Sequence, residues 1–419
     1  MVNYRLVYEN GDMYNKNVSR LIALLPLLSV YRSPISGIDI GTVLLFIIAF
    51  KYFLKNKGLY TKKHNPYNWL MIYIFLTTVI NISAFAFTDN LQYASVTITI
   101  LRLMKLIMVL FFVFTLDLFQ YMDFKEIIGT LEKTVFVNSG FIVIQRCSYQ
   151  LLGRIIANPL VRIATNEAYA DSRYNMLIGQ YIRPSGFFLE PSHFAQYCSV
   201  YLCYILFLDR RLNFKRILIV TIGIILSGSG MGILMLVLLV GISLIIHLKK
   251  RLITTTLYIV IYTGAVLFFG KSGFINSILG RVFTNENLYG GNAVRARIGN
   301  GYRIFESLNA LNKVFGCGYG HVPNSIYLNG WAYVLNTLGI LGVLVFGLVA
   351  VYTFIKTKSW GRWVIVCYLL LMAGAQLFTA SSIVYFLGIP LLYNRYYEKE
   401  NDTVSFTNNK EVDLISEYL

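Results

Sequence analysis

Long apolar blocks, separated by short polar connections, run through most of the chain. Examples are "TVLLFIIAFKYFL", "WLMIYIFLTTVINISAFAF", "ILMLVLLVGISLII" and "TLGILGVLVFGLVAVYTFI". The blocks are continuous rather than alternating, and their lengths are near the roughly 20 residues that a helix needs to cross a bilayer. Such helices keep no polar face for water. The pattern therefore predicts an all-α polytopic integral membrane protein.

The positions of the blocks predict about twelve transmembrane helices in a single membrane domain that covers residues 1–419. The approximate spans are 18–34, 37–54, 67–87, 94–117, 134–151, 192–208, 217–228, 231–248, 252–270, 325–355, 361–379 and 381–394. "SVYRSP" follows the first apolar core where a signal peptide would have small residues, so an uncleaved first span is expected. No internal repeat relates two halves, and the polar segment 395–419 is expected to be a cytoplasmic tail.

Charge changes this picture by fixing an orientation. The chain has 419 residues, 56% hydrophobic and 14% charged, with a formal net charge of +17. Many lysines and arginines fall in four short connections, 51–64, 209–216, 249–251 and 356–362, whose one acid is Asp209. The positive-inside rule places these connections and both termini in the cytoplasm. The basic charge therefore reports topology, and no nucleic acid is expected as a partner.

Two long connections, 152–191 and 271–324, then lie on the external side. Long loops in a compact protein usually carry function. Both loops are rich in basic residues although topology does not demand it: Arg154, Arg162, Arg173, Arg183, Lys271, Arg281, Arg295, Arg297, Arg303 and Lys313. Arginine suits phosphate oxygens, so the loops indicate an anionic ligand on the outer face. The alternative is a set of ordinary arginines that contact water or lipid headgroups.

The first loop ends in "RPSGFFLEPSHF", which leads directly into a span. Pro184 is expected to keep the chain extended after Arg183, and Pro191 fits the first turn of a helix. Arg183 and Glu190 would then be held at the outer surface of the membrane.

The second loop shows helical periodicity followed by a glycine-rich turn. Apolar residues recur at Ile298, Tyr302, Phe305, Leu308 and Leu311. This spacing predicts one amphipathic helix along the membrane surface. Gly316, Gly318 and Gly320 then predict a flexible turn, suited to close approach of a ligand to the backbone, just before His321.

Two basic residues, Arg102 and Lys105, lie three apart inside the apolar segment "VTITILRLMKLIMVLFFVF". They share one helix face, and basic residues at that depth usually face a cavity or an acidic partner. The alternative is snorkelling of their long side chains. Five scattered cysteines show no metal spacing and are expected to be packing residues. No carboxylate pair is placed outside to bind a metal, so we expect neither a metal nor another cofactor.

Several of these segments resemble bacterial O-antigen and capsular polysaccharide polymerases. "RPSGFFLEPSHFAQY" looks like the family's Arg-x-x-Gly-Phe-x-x-Glu-Pro-x-x-x-Ala segment before a span, and "VRARIGNGYRIFESLNALNKVFGCGYG" resembles its arginine-containing surface segment with a Gly-x-Gly-x-Gly end. "NSIYLNGWAYVLNTLGILGVLVF" is similar to its entry into a later span, and "LSGSGMGILMLVL" to its small-residue turn. The resemblance covers roughly residues 183–346 by motif.

The resemblance implies a membrane glycosyltransferase. Such enzymes transfer a growing glycan from undecaprenyl diphosphate to the next lipid-linked repeat unit at the outer face of the cytoplasmic membrane. The implied partners are the undecaprenyl-diphosphate-linked oligosaccharide, membrane lipids and, as further candidates, a chain-length regulator and a flippase.

Residues for this reaction are available in both loops. The candidates for binding the donor diphosphate are Arg183, Arg295, Arg297 and Arg303, and Asn324 is a further substrate-binding candidate. Arg295 and Arg297 would cooperate in an extended segment, whereas Arg295 and Arg303 would cooperate in a helix. Two residues are candidates for the base, and each has an ordinary explanation. Glu190 could simply cap a helix, and His321 could be a surface histidine; His193 is a weaker third.

Two other functions compete with polymerisation. An O-antigen ligase usually has His-Asn before the Tyr-Leu pair, where this chain has Pro323 and Asn324, and often an arginine where it has Gly230. A flippase or transporter should show related halves and short connections on both sides. Only Arg102 and Lys105 favour transport.

Overall fold

The structure is a computed structural model of the chain. It describes residues 12–31, 33, 38–55, 65–85, 95–154, 156, 158, 160, 177–178, 181–208, 213–247, 299–322, 327–358 and 360–394. Within these residues the chain is helical apart from connections and one two-stranded hairpin, in which β1 (Leu177–Ile178) pairs antiparallel with β2 (Tyr181–Ile182). The expected all-α class is therefore confirmed for the described residues.

The helices follow one another with short connections. They are α1 (Asp12–Leu28), α2 (Ile40–Lys55), α3 (Pro66–Phe85), α4 (Val96–Leu110), α5 (Phe124–Leu152), α6 (Pro191–Phe207), α7 (Phe214–Ser227), α8 (Gly230–His247), α9 (Asn300–Ser307), α10 (Ala310–Phe315), α11 (Gly330–Lys356), α12 (Trp360–Leu371) and α13 (Ala380–Ile383). A short π-helix continues α4 (Phe111–Thr115), and another continues α13 (Val384–Gly388). A short 3-10 helix, Leu118–Tyr121, precedes α5.

Helices lie over every predicted span except 252–270, which falls outside the described residues. Three of them, Val96–Thr115, Phe124–Leu152 and Gly330–Lys356, are long and apolar enough to cross a membrane. Shorter apolar helices include Gly230–Ile246 and Ala380–Asn394. Many large apolar side chains point outward, as they do when lipid replaces water around a bundle; examples are Ile47, Trp69, Ile80 and Leu348. The fold is therefore compatible with a membrane protein.

Helix α6 lies at the centre of the bundle. It packs on α7, α8 and α12, and its residues from Phe194 to Cys203 are all buried. A helix that is buried on every side has no amphipathic stripe, and even its polar residues Gln196 and Ser199 are buried. Around it, α1 packs on α2 and α5, and α3 packs on α4 and α11. Four of the five cysteines are buried and unpaired, as expected for packing residues, whereas Cys147 is exposed.

The prediction of a single helix in the second loop is wrong in the number of helices. The chain forms two short helices, α9 and α10, instead of one, because its backbone is extended at Leu308 and Asn309. The Asn309 side chain caps α10 by accepting a hydrogen bond from the backbone N–H of Asn312. Both helices pack on α11. Gly301 of α9 lies so close to α11 that an added Cβ would be 2.3 Å from the Cβ of Ala332.

Helix α11 is interrupted at Gly339, which has φ 69° and ψ −171°. The break frees backbone carbonyls that an unbroken helix would use. Three groups bond to them: Cys317 N–H to Asn336 O and Gly318 N–H to Thr337 O, each at 2.9 Å, and the Tyr73 hydroxyl to Leu338 O at 2.6 Å. A break inside an apolar helix is tolerated when other parts of the protein satisfy its backbone in this way.

Candidate functional site

The segment between β2 and α6 is bound to the C-terminal half of α5 by polar side chains. Asn138 accepts a hydrogen bond from the Phe187 N–H at 2.9 Å, and Gln145 accepts one from the Gly186 N–H at 3.1 Å. Arg146 donates to the carbonyl of Ile182 at 2.7 Å. Gly186 has φ 64°, in the left-handed region that favours glycine. This segment, 182–190, is therefore docked against the helices rather than exposed as a free loop.

A second polar contact reaches this segment from the connection between α1 and α2. The hydroxyl of Tyr31 donates to the carbonyl of Phe187, and the amide of Asn158 donates to the same carbonyl at 2.9 Å and to the Tyr31 hydroxyl at 3.1 Å. The phenol of Tyr31 is therefore a hydrogen-bond donor to the segment 182–190.

Glu190 begins α6, and Pro191 is the first helical residue, as predicted. The backbone of Glu190 accepts the first helical hydrogen bonds, but its carboxylate bonds to no backbone N–H of the helix. The carboxylate instead accepts from the Ser192 hydroxyl at 3.1 Å. The ordinary explanation of this acid as a side-chain helix cap therefore fails in its usual form. Arg183, seven residues earlier, is partly buried.

The glycine-rich turn, 316–320, is buried against three helices. Gly316, Gly318 and Gly320 have φ of 83°, 93° and 86°, in the left-handed region that favours glycine. The N–H of Tyr319 donates to the Thr78 hydroxyl of α3 at 2.8 Å, and the Asn81 amide donates to Gly316 O at 3.2 Å. A flexible turn was expected, but the close backbone approach here is to the protein's own helices. Burial also raises the pKa of Cys317 to about 11, so its thiol stays neutral.

Arg102 of α4 contacts this turn. Its Nη1 donates to the carbonyl of Gly320 at 2.9 Å, and the missing Gly320 side chain leaves room for the Arg102 stem, since an added Cβ would lie 3.1 Å from the Arg102 Cβ. His321 follows Gly320 and is partly buried, and its backbone N–H donates to Gly318 O at 3.2 Å. Two features that are separate in sequence, the intramembrane arginine and the candidate histidine, thus belong to one site.

Lys105, one turn further along α4, has a different partner. Its ammonium forms an ion pair with Asp39, whose side chain is only 2% exposed. Asp39 also accepts hydrogen bonds from the backbone and hydroxyl of Thr42, at 2.8 and 3.0 Å, and so starts α2. Of the two explanations for a basic residue at this depth, an acidic partner is confirmed for Lys105 and snorkelling is not.

Helix α4 contacts both the glycine-rich turn and the start of α2. Arg102 bonds to Gly320, and Lys105 pairs with Asp39. Beside Asp39, the Ile40 N–H donates to Tyr31 O at 3.1 Å, and the Tyr31 hydroxyl bonds to Phe187. The glycine-rich turn therefore packs on α4, and the end of the first long loop on the connection between α1 and α2.

The remaining predicted residues differ in how the structure places them. Arg303 lies on α9 and is exposed. His193 is in the first turn of α6, and its Nδ1 is buried without a hydrogen-bond partner among the described residues. Arg295, Arg297 and Asn324 lie outside the described residues, and their roles stay predictions. Among the described residues no three His, Cys, Asp or Glu side chains come together as a metal group.

Sequence reasoning missed the residues that position the first segment. Asn138 and Gln145 are polar, lie seven apart in an apolar helix, and are buried on one face of α5. That spacing was a usable signal, because polar residues inside a membrane helix usually have a specific partner.

Thr99 of α4, which lies against Gly320, was also missed. It gave no signal, because threonine is common in apolar helices and its significance depends on Gly320, more than 200 residues later in the chain.

Comparison with models of known protein families finds no match for this chain, and comparison with curated protein sequences finds none either.

Proposed function

We propose that this protein is a polymerase of surface polysaccharide repeat units. It would span the cytoplasmic membrane about twelve times, with both termini in the cytoplasm and its site on the external face. The observation that supports the proposal is the docking of segment 182–190, which carries Arg183 and the candidate base Glu190, against the helices; the second candidate base, His321, follows the turn that Arg102 contacts.

The proposed reaction is transfer of the glycan between two lipid carriers. A hydroxyl of the incoming repeat unit attacks the anomeric carbon of the donor sugar, the bond from that carbon to the diphosphate oxygen breaks, and the lipid diphosphate leaves with the electron pair. A base accepts the hydroxyl proton. The energy is in the sugar phosphate bond, so no nucleotide takes part.

Each step has candidate residues in the chain. Positive charge that is fixed in advance stabilises the charge that develops on a leaving diphosphate, typically by about 3 to 4 kcal/mol for each donor. Arg183 is partly buried beside a docked segment and so would be held in place, whereas exposed Arg303 would need the substrate to order it. Arg295 and Arg297 complete the proposed set. Asn324 would contact the sugars.

Deletion of the gene tests the function. We expect cells without it to carry a lipid-linked single repeat unit that is reachable from outside, and a gel of surface glycan to lose its ladder of longer chains. An Arg183→Ala variant expressed at the normal level should also lose the ladder, whereas Arg20→Ala, which removes a cation paired with Glu126 at the start of α5, should keep it.

Other outcomes of the same gel would contradict the proposal. If polymer accumulates on the carrier lipid, the protein is a ligase. If the single unit cannot be reached from outside, it is a flippase or transporter. One of the two cations that favour transport, Lys105, has an acidic partner within the protein, which weakens that alternative.

A further inference from the structure

Arg102 has an unusual environment for a basic residue in an apolar helix. It lies seven residues after the N-cap residue Ser95, which is about 10 Å along the helix axis. Among the described residues no carboxylate pairs with Arg102, and of its five N–H groups only one, on Nη1, has an acceptor, the Gly320 carbonyl. Lys105 on the same face is neutralised by Asp39. Within the described part of the chain Arg102 is therefore a cation without an acidic partner in an apolar helix, which is costly unless an anion binds there.

A second, independent observation lies one turn away. The hydroxyl of Thr99 is buried, and among the described residues it has no hydrogen-bond partner. Helical threonines usually donate to a carbonyl of the preceding turn, and Thr78 does so to Ile74 O at 2.6 Å. Thr99 and Arg102 both lie against Gly320, since an added Cβ there would be 3.6 Å from the Thr99 Cα and 3.1 Å from the Arg102 Cβ. A buried unsatisfied hydroxyl is destabilising, and so is an unpaired guanidinium.

The surroundings would strengthen binding of an anion. Tyr319 and Tyr333 are buried beside Arg102, with ring centroids 5.7 Å apart, and they interact electrostatically with its guanidinium. Arg102 is partly buried, so its attraction for an anion is screened less than it would be on an open surface. The neighbouring face of α4 carries exposed Ile98 and Met104, which are suited to contact with lipid chains.

We propose that Arg102 and Thr99 form a binding site for a phosphate or diphosphate group in the outer half of α4, beside His321. The ligand class is a phosphate ester of a long apolar alcohol, with the phosphate on Arg102 and the chain along the lipid-facing side of α4. The choice of ligand rests on the proposed function, whereas the binding site itself rests on the geometry of Arg102, Thr99 and Gly320.

The test measures binding to the purified full-length protein in detergent. The probes are a short polyprenyl diphosphate, the same polyprenol without phosphate, and inorganic diphosphate. We expect the polyprenyl diphosphate to bind at least about tenfold more tightly than the alcohol, and Arg102→Gln to remove about that factor. Arg20→Gln, which removes a cation paired with Glu126 at the other end of the protein, should bind as the wild type does.

Thr99→Val separates binding from folding, because it keeps the shape and removes only the unsatisfied hydroxyl. A ligand role predicts affinity about threefold weaker or more, with equal or higher thermal stability of the free protein. Unchanged affinity in Thr99→Val or in a folded Arg102→Gln variant would overturn the proposal. Equal affinity for the alcohol and the diphosphate would overturn it as well.

The two sources of phosphate are distinguished by competition. If inorganic diphosphate displaces the lipid probe in an Arg102-dependent way, the free anion is sufficient for the site. If it does not, the site requires the lipid-borne group. Both outcomes support the binding site. Because no polymerisation is measured, a cell that keeps its glycan ladder after gene deletion would contradict the proposed function without contradicting this site.

Discussion

Glu190 and His321 compete for the role of proton acceptor, and their environments differ. Glu190 begins the central helix α6 and is held by Ser192. His321 follows Gly320, next to the guanidinium of Arg102. The Glu190 carboxylate is oriented by the Ser192 hydroxyl and does not cap its own helix, so it is the base that we choose.

We therefore expect Glu190→Gln to slow polymerisation by about 100-fold or more while leaving thermal stability almost unchanged. The amide keeps the size of the side chain but accepts no proton, and the original carboxylate did not cap the helix. His321→Gln should retain activity within about tenfold of the wild type. The measurement is the rate of chain extension in membranes supplied with lipid-linked repeat units.

Ser192→Ala is the matched control for Glu190. It removes the hydrogen bond to the carboxylate but leaves the acid in place, so activity should fall only slightly. The assignment would be refuted by normal rates in Glu190→Gln together with loss of activity in His321→Gln.

At the scale of elements, α11 and the glycine-rich turn stabilise each other. Gly316 approaches the break so closely that an added Cβ would lie 2.3 Å from Thr337 O, and a Cβ on Gly339 would lie 2.3 Å from Val314 O. The break at Gly339 leaves room for the glycine-rich turn. The turn donates hydrogen bonds to the carbonyls that the break exposes. His321 is positioned by this pair of elements rather than by local sequence.

Gly339→Ala is expected to destabilise the protein by about 3 kcal/mol or more. The new methyl group adds strain at a positive φ and an overlap with a backbone carbonyl. Gly347→Ala is the control in the same helix. Nothing lies within 4 Å of its added Cβ, and alanine favours a helix, so stability should stay equal or rise slightly. Thermal unfolding of the purified proteins in detergent distinguishes the two; a Gly339→Ala variant as stable as Gly347→Ala would contradict the account.

The sequence predicts features that depend on contacts between neighbouring residues, but not features that depend on contacts between distant segments of the chain. The helix that begins at Pro191 follows from local chemistry, because proline fits the first turn and needs no N–H there. The break at Gly339 does not, because "TLGILGVLVF" has the same apolar pattern with or without it, and the reason for it is Gly316 in another segment. Likewise, a helical pattern identifies Arg102 as a buried cation but does not identify Gly320 as its acceptor.

At the scale of the whole molecule, contacts between helices agree with the topology that charge predicts. Groups next to predicted cytoplasmic loops contact one another: Tyr67 O–H bonds Thr353 at 2.8 Å, and the Lys358 N–H donates to Asn394 at 3.1 Å. Groups at predicted external ends do likewise, as where the Gly330 N–H donates to Ala375 O at 2.8 Å. These contacts group helix ends that share a side, and the side that faces the cytoplasm stays a prediction.

This agreement leads to a labelling experiment on the orientation of the bundle. In a Cys147→Ser background the remaining described cysteines are buried, so an introduced cysteine at an exposed position reports its own location. Glu306→Cys on α9 should react with an impermeant maleimide in intact spheroplasts, whereas Lys358→Cys, after α11, should react only once detergent opens the membrane. Both parent residues are exposed, so a difference in labelling reflects the side of the membrane and not burial. Reaction of Lys358→Cys from outside would invert the orientation and move Arg102, His321 and Glu190 to the cytoplasmic side, where a polymerase of exported glycan has no substrate.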